Sequence, residues 1–132
     1  MAMCMAQVDA IINMNVAVIG ASDKPERFSY QAVVLLKQKG HQVFPVHQRI
    51  KTIEGQAVYP SIKDIKVPID TVTLYVAADI SSNLTADILS VKPKRIIFNP
   101  GAENPDLAQM AQSQGITTVN DCSLVMLRSG KF

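Results

Sequence analysis

The chain has 132 residues, the length of one ordinary domain, with 13 basic and 11 acidic residues and a formal net charge of +2. Hydrophobic residues make up 48% and charged ones 18%, below the ~25% charged fraction of average globular chains, which argues against disorder and predicts a sizeable core. The scattered, nearly balanced charge forms no basic stripe for a polynucleotide, and the longest apolar runs fall far short of the ~20 residues that cross a bilayer, so neither nucleic acid nor membrane is an expected partner.

Residues 1–14 are expected to form an N-terminal helical extension through Met5, Val8, Ile11 and Ile12, packing on the domain or on a partner. The first basic residue is Lys24, so the charged start of a secretory leader is missing and the cytoplasm is the expected compartment. Cys4 and Cys122 lie far apart without metal-ligand spacing, which predicts neither a disulfide framework nor a metal site.

Residues 15–132 read as a single domain in which strands and helices alternate. Asn15 to Gly20 is a short β-branched run closed by glycine, a strand buried on both faces. Pro25 suits the first turn of a helix carrying Tyr30, Val33, Val34 and Leu36 and stopped by Gly40. His41 to Val46 is a second strand, with Pro45 required at its end because proline cannot donate within a central ladder. Gln48 to Gln56 reads as a weakly structured, ligand-facing loop, and Tyr59 to Ser61 precedes a short helical segment.

Ile69 to Ala77 supplies a third strand. Ser81 or Ser82 then caps a helix with Leu84, Ile88, Leu89 and Val91, which Pro93 ends. Arg95 to Phe98 is a fourth strand, Asn104 and Pro105 open a helix through Leu107, Met110 and Ala111, and Ile116 to Val119 is a fifth strand. Asp121 suits the cap of a last helix. The alternation predicts an α/β fold, a Rossmann-like three-layer sandwich around a five-stranded parallel sheet with right-handed crossovers.

In such sheets ligands bind outside the carboxyl ends of the strands. After the first strand come Gly20, Ala21, Ser22, Lys24 and Arg27, where glycine permits close backbone approach and a helix start offers amides to an anion. The same residues also fit a plain tight turn with solvated charges. The second and third glycines of GxGxxG are missing, and no acidic residue ends the second strand to hold a ribose 2′-hydroxyl, which disfavours ordinary NAD binding. His47, Arg49 and Lys51 stand there instead. They suit an adenosine with an extra phosphate, as in NADP or coenzyme A, or they form a solvated basic loop.

Val18 to Arg27, Pro45 and Val46, Gly55, Tyr59 to Ser61 and Asn99 to Asn104 together resemble the stand-alone CoA-binding protein family, over most of the chain after Met14. That family is similar to the N-terminal CoA-binding domain of the succinyl-CoA synthetase alpha subunit, which holds the nucleotide without redox chemistry. The resemblance implies that Gly20, Ala21, Ser22 and Lys24 cradle CoA phosphates with Arg27 nearby. It also implies that Pro45, Val46 and Arg49 line the adenosine region, that Val76 and Ala77 form another wall, and that Asn99, Gly101 and Ala102 lie beside the pyrophosphate or pantetheine.

His47 departs from the asparagine often found in the family, and either contacts the 3′-phosphate or is an exposed loop histidine. The synthetases' phosphorylated histidine belongs to a second domain without counterpart in these 132 residues, so ligase activity is not implied. The implied function is binding of CoA or an acyl-CoA with no catalytic residue, either by a homodimer or beside a partner ligase-type chain. A small NADP-binding reductase and a CoA-binding subunit of a multi-chain acyl-CoA ligase are the alternatives. Cys122 is either a reactive thiol near a helix start or a small buried hydrophobe.

Overall fold

The computed structural model describes residues 14–132; the helix expected over residues 1–14 lies, apart from Met14, outside them. The elements run β1 (Asn15–Ile19), α1 (Phe28–Gln38), β2 (Gln42–Val46), β3 (Thr52–Ile53), β4 (Gln56–Ala57), a 3-10 turn (Ile62–Asp64), β5 (Thr71–Leu74), α2 (Ala78–Ser90), β6 (Arg95–Phe98), α3 (Pro105–Ser113), β7 (Thr117–Asn120) and α4 (Ser123–Arg128). Five strands form one sheet in the order β2-β1-β5-β6-β7, every neighbouring pair parallel. The fold is therefore the expected Rossmann-like α/β sandwich.

The pleat explains why the strands are apolar throughout. Val16 and Val18 join Val33 and Leu36 of α1 and Leu127 of α4, whereas Ala17 and Ile19 join Ile88 and Leu89 of α2 and Leu107 and Ala111 of α3 on the opposite face. Both faces are covered. Among the described residues no helix is long and apolar enough to cross a membrane.

Several local features differ from the sequence expectation. Pro45 is the fourth residue of β2 and not its last, because β2 is an edge strand. Gln42 donates to Met14 O on the β1 side while His47 donates to Tyr59 O on the outside, so the alternation points position 45 outward and proline costs no bond to β1. Helix α1 begins at Phe28, not Pro25, since Arg27 is extended and its amide closes a turn on Lys24 O.

Helix α2 starts at Ala78 with Ala77 as its N-cap, and Ser81 and Ser82 lie inside it. Ser81 is fully buried and accepts 2.7 Å from Asn104 Nδ2, a link between α2 and α3 in place of a cap. Asn104 does cap α3, accepting from Leu107 N at 3.1 Å, but Met110 points outward because Leu107 and Ala111 define the inward stripe. Cys122, not Asp121, is the N-cap residue of α4; Asp121 accepts from the Cys122 amide one residue early. The loop after β2 contains an antiparallel hairpin, β3 with β4, whose turn residues Glu54 and Gly55 both have positive φ, as a type I′ turn requires.

At the amino edge of the sheet the Phe132 ring lies 5.3 Å from His41, and the Arg95 guanidinium sits 4.7 Å above its centroid. His41 Nδ1 accepts from Met14 N at 3.2 Å. Burial, reinforced by the nearby Arg95 charge, lowers the His41 pKa below its ordinary 6.5. The unfolded chain thus takes up the proton first, so this stability is fully present above pH 6.5 and is lost as pH falls through 6.5 toward the folded value. Urea unfolding between pH 7.5 and 5.5 should show a shallower loss of stability for His41→Asn than for the parent chain; equal slopes would contradict it.

Candidate functional site

The carboxyl end of β1 decides the geometry of this edge. Gly20 has φ +85°, and a Cβ on it would lie 2.7 Å from Val76 Cγ1 and 3.3 Å from the Tyr75 backbone. Its amide and that of Ala21 both donate to Val46 O, at 3.1 and 3.3 Å. The ends of β1, β2 and β5 are thereby drawn together.

Outside them lies a cleft of about 500 Å³, lined by Ile19, Gly20, Val46, His47, Gln48, Arg49, Pro60, Ser61, Ile62, Val76, Ile80, Leu84 and Asp87. That volume falls in the range of ligand clefts, roughly 300–1,000 Å³. The walls are mainly apolar, with a basic segment on one side. His47 Nδ1 accepts from the amides of Arg49 (3.0 Å) and Ile50 (3.2 Å), which folds the segment back and places the neutral ring's proton on Nε2.

Of the residues singled out from sequence, Gly20, Val46, His47, Arg49 and Val76 meet in this cleft. Pro45 is buried and does not line the cleft, since neighbouring strand positions face opposite ways and Val46 is the one that lines it. Ser22, Lys24 and Arg27 occupy the adjoining turn, where Ser22 Oγ accepts from Lys24 N at 3.1 Å and Lys24 and Arg27 are exposed. Arg27 gives α1 no side-chain cap and its first turn holds no acidic residue. Among the described residues the amides of Phe28, Ser29 and Tyr30 have no partner within the chain, the arrangement that favours an anion at a helix start.

The other candidates stand apart from the cleft. Ala77 is the exposed N-cap of α2. Asn99 is buried and fully engaged: Nδ2 donates to Thr73 Oγ1 (2.7 Å) and Leu74 O (2.8 Å), and Oδ1 accepts from Ser123 N (2.8 Å). Gly101 has φ +90° and donates its amide to Glu103 Oε1 at 2.9 Å, while Ala102 packs into the core. Cys122 is half-buried beside Tyr75. Burial, with a smaller contribution from Cys122, pushes the Tyr75 phenol well above its ordinary range; the nearby Thr73 and Ser123 hydroxyls bond each other at 2.8 Å, and the phenol has no partner among the described residues.

Sequence reasoning missed the wall formed by Pro60, Ser61 and Ile62 and by Ile80, Leu84 and Asp87. Two signals pointed to it. Ser61 and Asp64 form a capping box, and positions 80, 84 and 87 share one helical stripe.

The fold and this edge define a Rossmann-like α/β module with a ligand-sized cleft at its strand ends. The chain belongs to the CoA binding domain family, whose model matches residues 14–128. It is 26% identical over 106 residues to the uncharacterized protein YneT of Bacillus subtilis, covering 80% of this chain and 78% of that one. It is also 36% identical over 62 residues to the alpha subunit of the ADP-forming acetate–CoA ligase II of Pyrococcus furiosus, 46% of this chain but only 14% of that subunit. A crystal structure of an uncharacterized protein superposes with a TM-score of 0.86 at 36% identity, over 90% of this chain and 98% of that one.

Gly20→Ala should destabilise the fold by roughly 1–3 kcal/mol, since alanine there is strained by the positive φ and by Val76. Chemical denaturation measures this, and a Val76→Ala change in the same chain should recover only part of the loss, because the strain of the dihedral remains. Unchanged stability in Gly20→Ala would refute the junction described here.

Proposed function

We propose that this protein binds coenzyme A or an acyl-CoA at the carboxyl edge of its sheet, without a catalytic centre of its own. The observation that carries the proposal is the cleft between the Gly20 turn and the basic segment after β2, which lies within the residues matched by the family model. The adenosine end enters the cleft, against Val46 and Val76, with its 3′-phosphate near His47 and Arg49. The pyrophosphate lies along Gly20, Ala21 and Ser22 toward the first turn of α1, where Lys24 and Arg27 add charge. The pantetheine chain runs outward past Ala77 and the loop of Asn99, Gly101 and Ala102.

The fit follows from the hydrogen bonds already present. Since Gly20 and Ala21 spend their amides on Val46 O, their part is to allow close approach, and donors to phosphate come from Ser22 Oγ, the α1 amides and the basic side chains. The same basic segment would suit NADP, but the single glycine turn fits the alternative reductase less well. A second reading, in which the chain supplies a CoA site to a partner ligase-type chain, is favoured by the likeness to the acetate–CoA ligase subunit.

Isothermal titration with CoA, dephospho-CoA and NADP tests the proposal. CoA should bind saturably and more tightly than dephospho-CoA, and Lys24→Ala and Arg49→Ala should each weaken it by about 1–3 kcal/mol. No heat with CoA, or tighter binding of NADP, would refute it.

A further inference from the structure

The chain leaves β2 at Val46 and returns to the same strand at Tyr59: His47 N donates to Tyr59 O at 3.0 Å, and Tyr59 N to Pro45 O at 2.9 Å. The segment between them is a closed loop whose ends meet. Its far part is tied down twice, since Ile53 is 1% exposed and packs with Val33 and Leu36 of α1, and Lys51 O accepts from Val58 N at 3.0 Å. The near part carries Arg49 to the cleft, and the chain bends at Gln48 and Arg49.

Among the described residues no backbone carbonyl accepts from the amides of Arg49 or Ile50. Both donate instead to His47 Nδ1, at 3.0 and 3.2 Å. One ring nitrogen thus bonds the second and third residues after its own, as the side-chain oxygen of an asparagine does when it closes a turn on its own backbone. Water can satisfy an exposed amide without fixing its direction, so the imidazole and not solvent sets where Arg49 leaves the chain.

We propose that His47 is a positioning residue: its Nδ1 holds the bend that presents Arg49 to the 3′-phosphate of coenzyme A, and the ring itself is not the phosphate's partner. This rests on the CoA reading and adds to it how CoA is told from dephospho-CoA. It also makes that distinction depend on pH. A protonated imidazole donates from both nitrogens and has no acceptor left at Nδ1, so protonation and the bend exclude each other. Around the ring, Arg49 and Lys51 stand on its own segment, Asp87 lines the cleft from α2, Lys63 sits on the 3-10 turn, Tyr59 is bridged to Val46, and the exposed Lys24 stands on the turn after β1.

Titration of the full chain with CoA and dephospho-CoA at pH 7.5 and pH 5.0 tests it. At pH 7.5 the parent should prefer CoA about tenfold, and His47→Ala should cut that preference to about twofold. His47→Asn, which keeps an acceptor but has no ring to reach the phosphate, should recover most of it. At pH 5.0 the preference of the parent should fall further than that of His47→Asn, where the phosphate's own titration remains; His41 is common to both and cancels. Equal losses in His47→Asn and His47→Ala would assign the ring a direct contact and overturn the proposal, as would an undiminished preference in His47→Ala or a parent that gains on His47→Asn at pH 5.0. If the alanine variant fails to fold, the pH comparison decides alone. A parent that binds both compounds equally would overturn the role of His47 while leaving CoA binding intact, and one that binds neither would overturn the CoA reading with it.

Discussion

The junction of Gly20, Val46 and Val76 is the constraint on which the carboxyl edge depends. One carbonyl, Val46 O, takes the amides of Gly20 and Ala21, and the bare α-carbon of Gly20 lets Val76 approach. Any side chain at position 20 would push the end of β5 away from β1 and separate the cleft walls. The glycine is therefore needed for packing as well as for its positive φ, and the first strand's turn is aimed outward toward the start of α1 as a result.

A set of buried polar contacts does the corresponding work in the second half of the chain. Asn99 ties β6 to Thr73 and Leu74 of β5 and to the first residue of α4, and Asn104 ties the start of α3 to Ser81 of α2. Each of these groups is buried, and each would cost about 1–3 kcal/mol if left without a partner, so the loops after β6 and β7 are held in one arrangement. Asn99 thus shapes the loop that follows β6, where the Gly101 amide donates to Glu103 Oε1.

Much of the architecture was legible because the strands are covered on both faces. Continuous apolar runs such as Val16 to Ile19 and Ile96 to Phe98 have no other home in a chain of this length. Helix starts were harder. Ser81 looked like a cap because serine is a frequent one, but burial against Asn104 outweighed the local preference, and Ala77 took the boundary with no side-chain bond at all. The place of His47 and Arg49 at the strand-end cleft was readable because it follows from the strand order. The cleft wall of Pro60, Ser61 and Ile62 was not, since the tertiary fold brings it to the strand ends from another segment.

The family model spans the residues that form the cleft, and the acetate–CoA ligase subunit shares only a stretch of this domain's sequence with the chain. The central claim is that coenzyme A occupies the edge formed by the ends of β1, β2 and β5. Backbone amide chemical-shift changes on adding CoA test it most directly. The shifts should concentrate at Gly20 to Ser22, at Phe28 to Tyr30, at His47 to Arg49 and at Val76. Changes confined to Lys92, Lys94 and Gly115, which line a hollow at the opposite edge of the sheet, would contradict it.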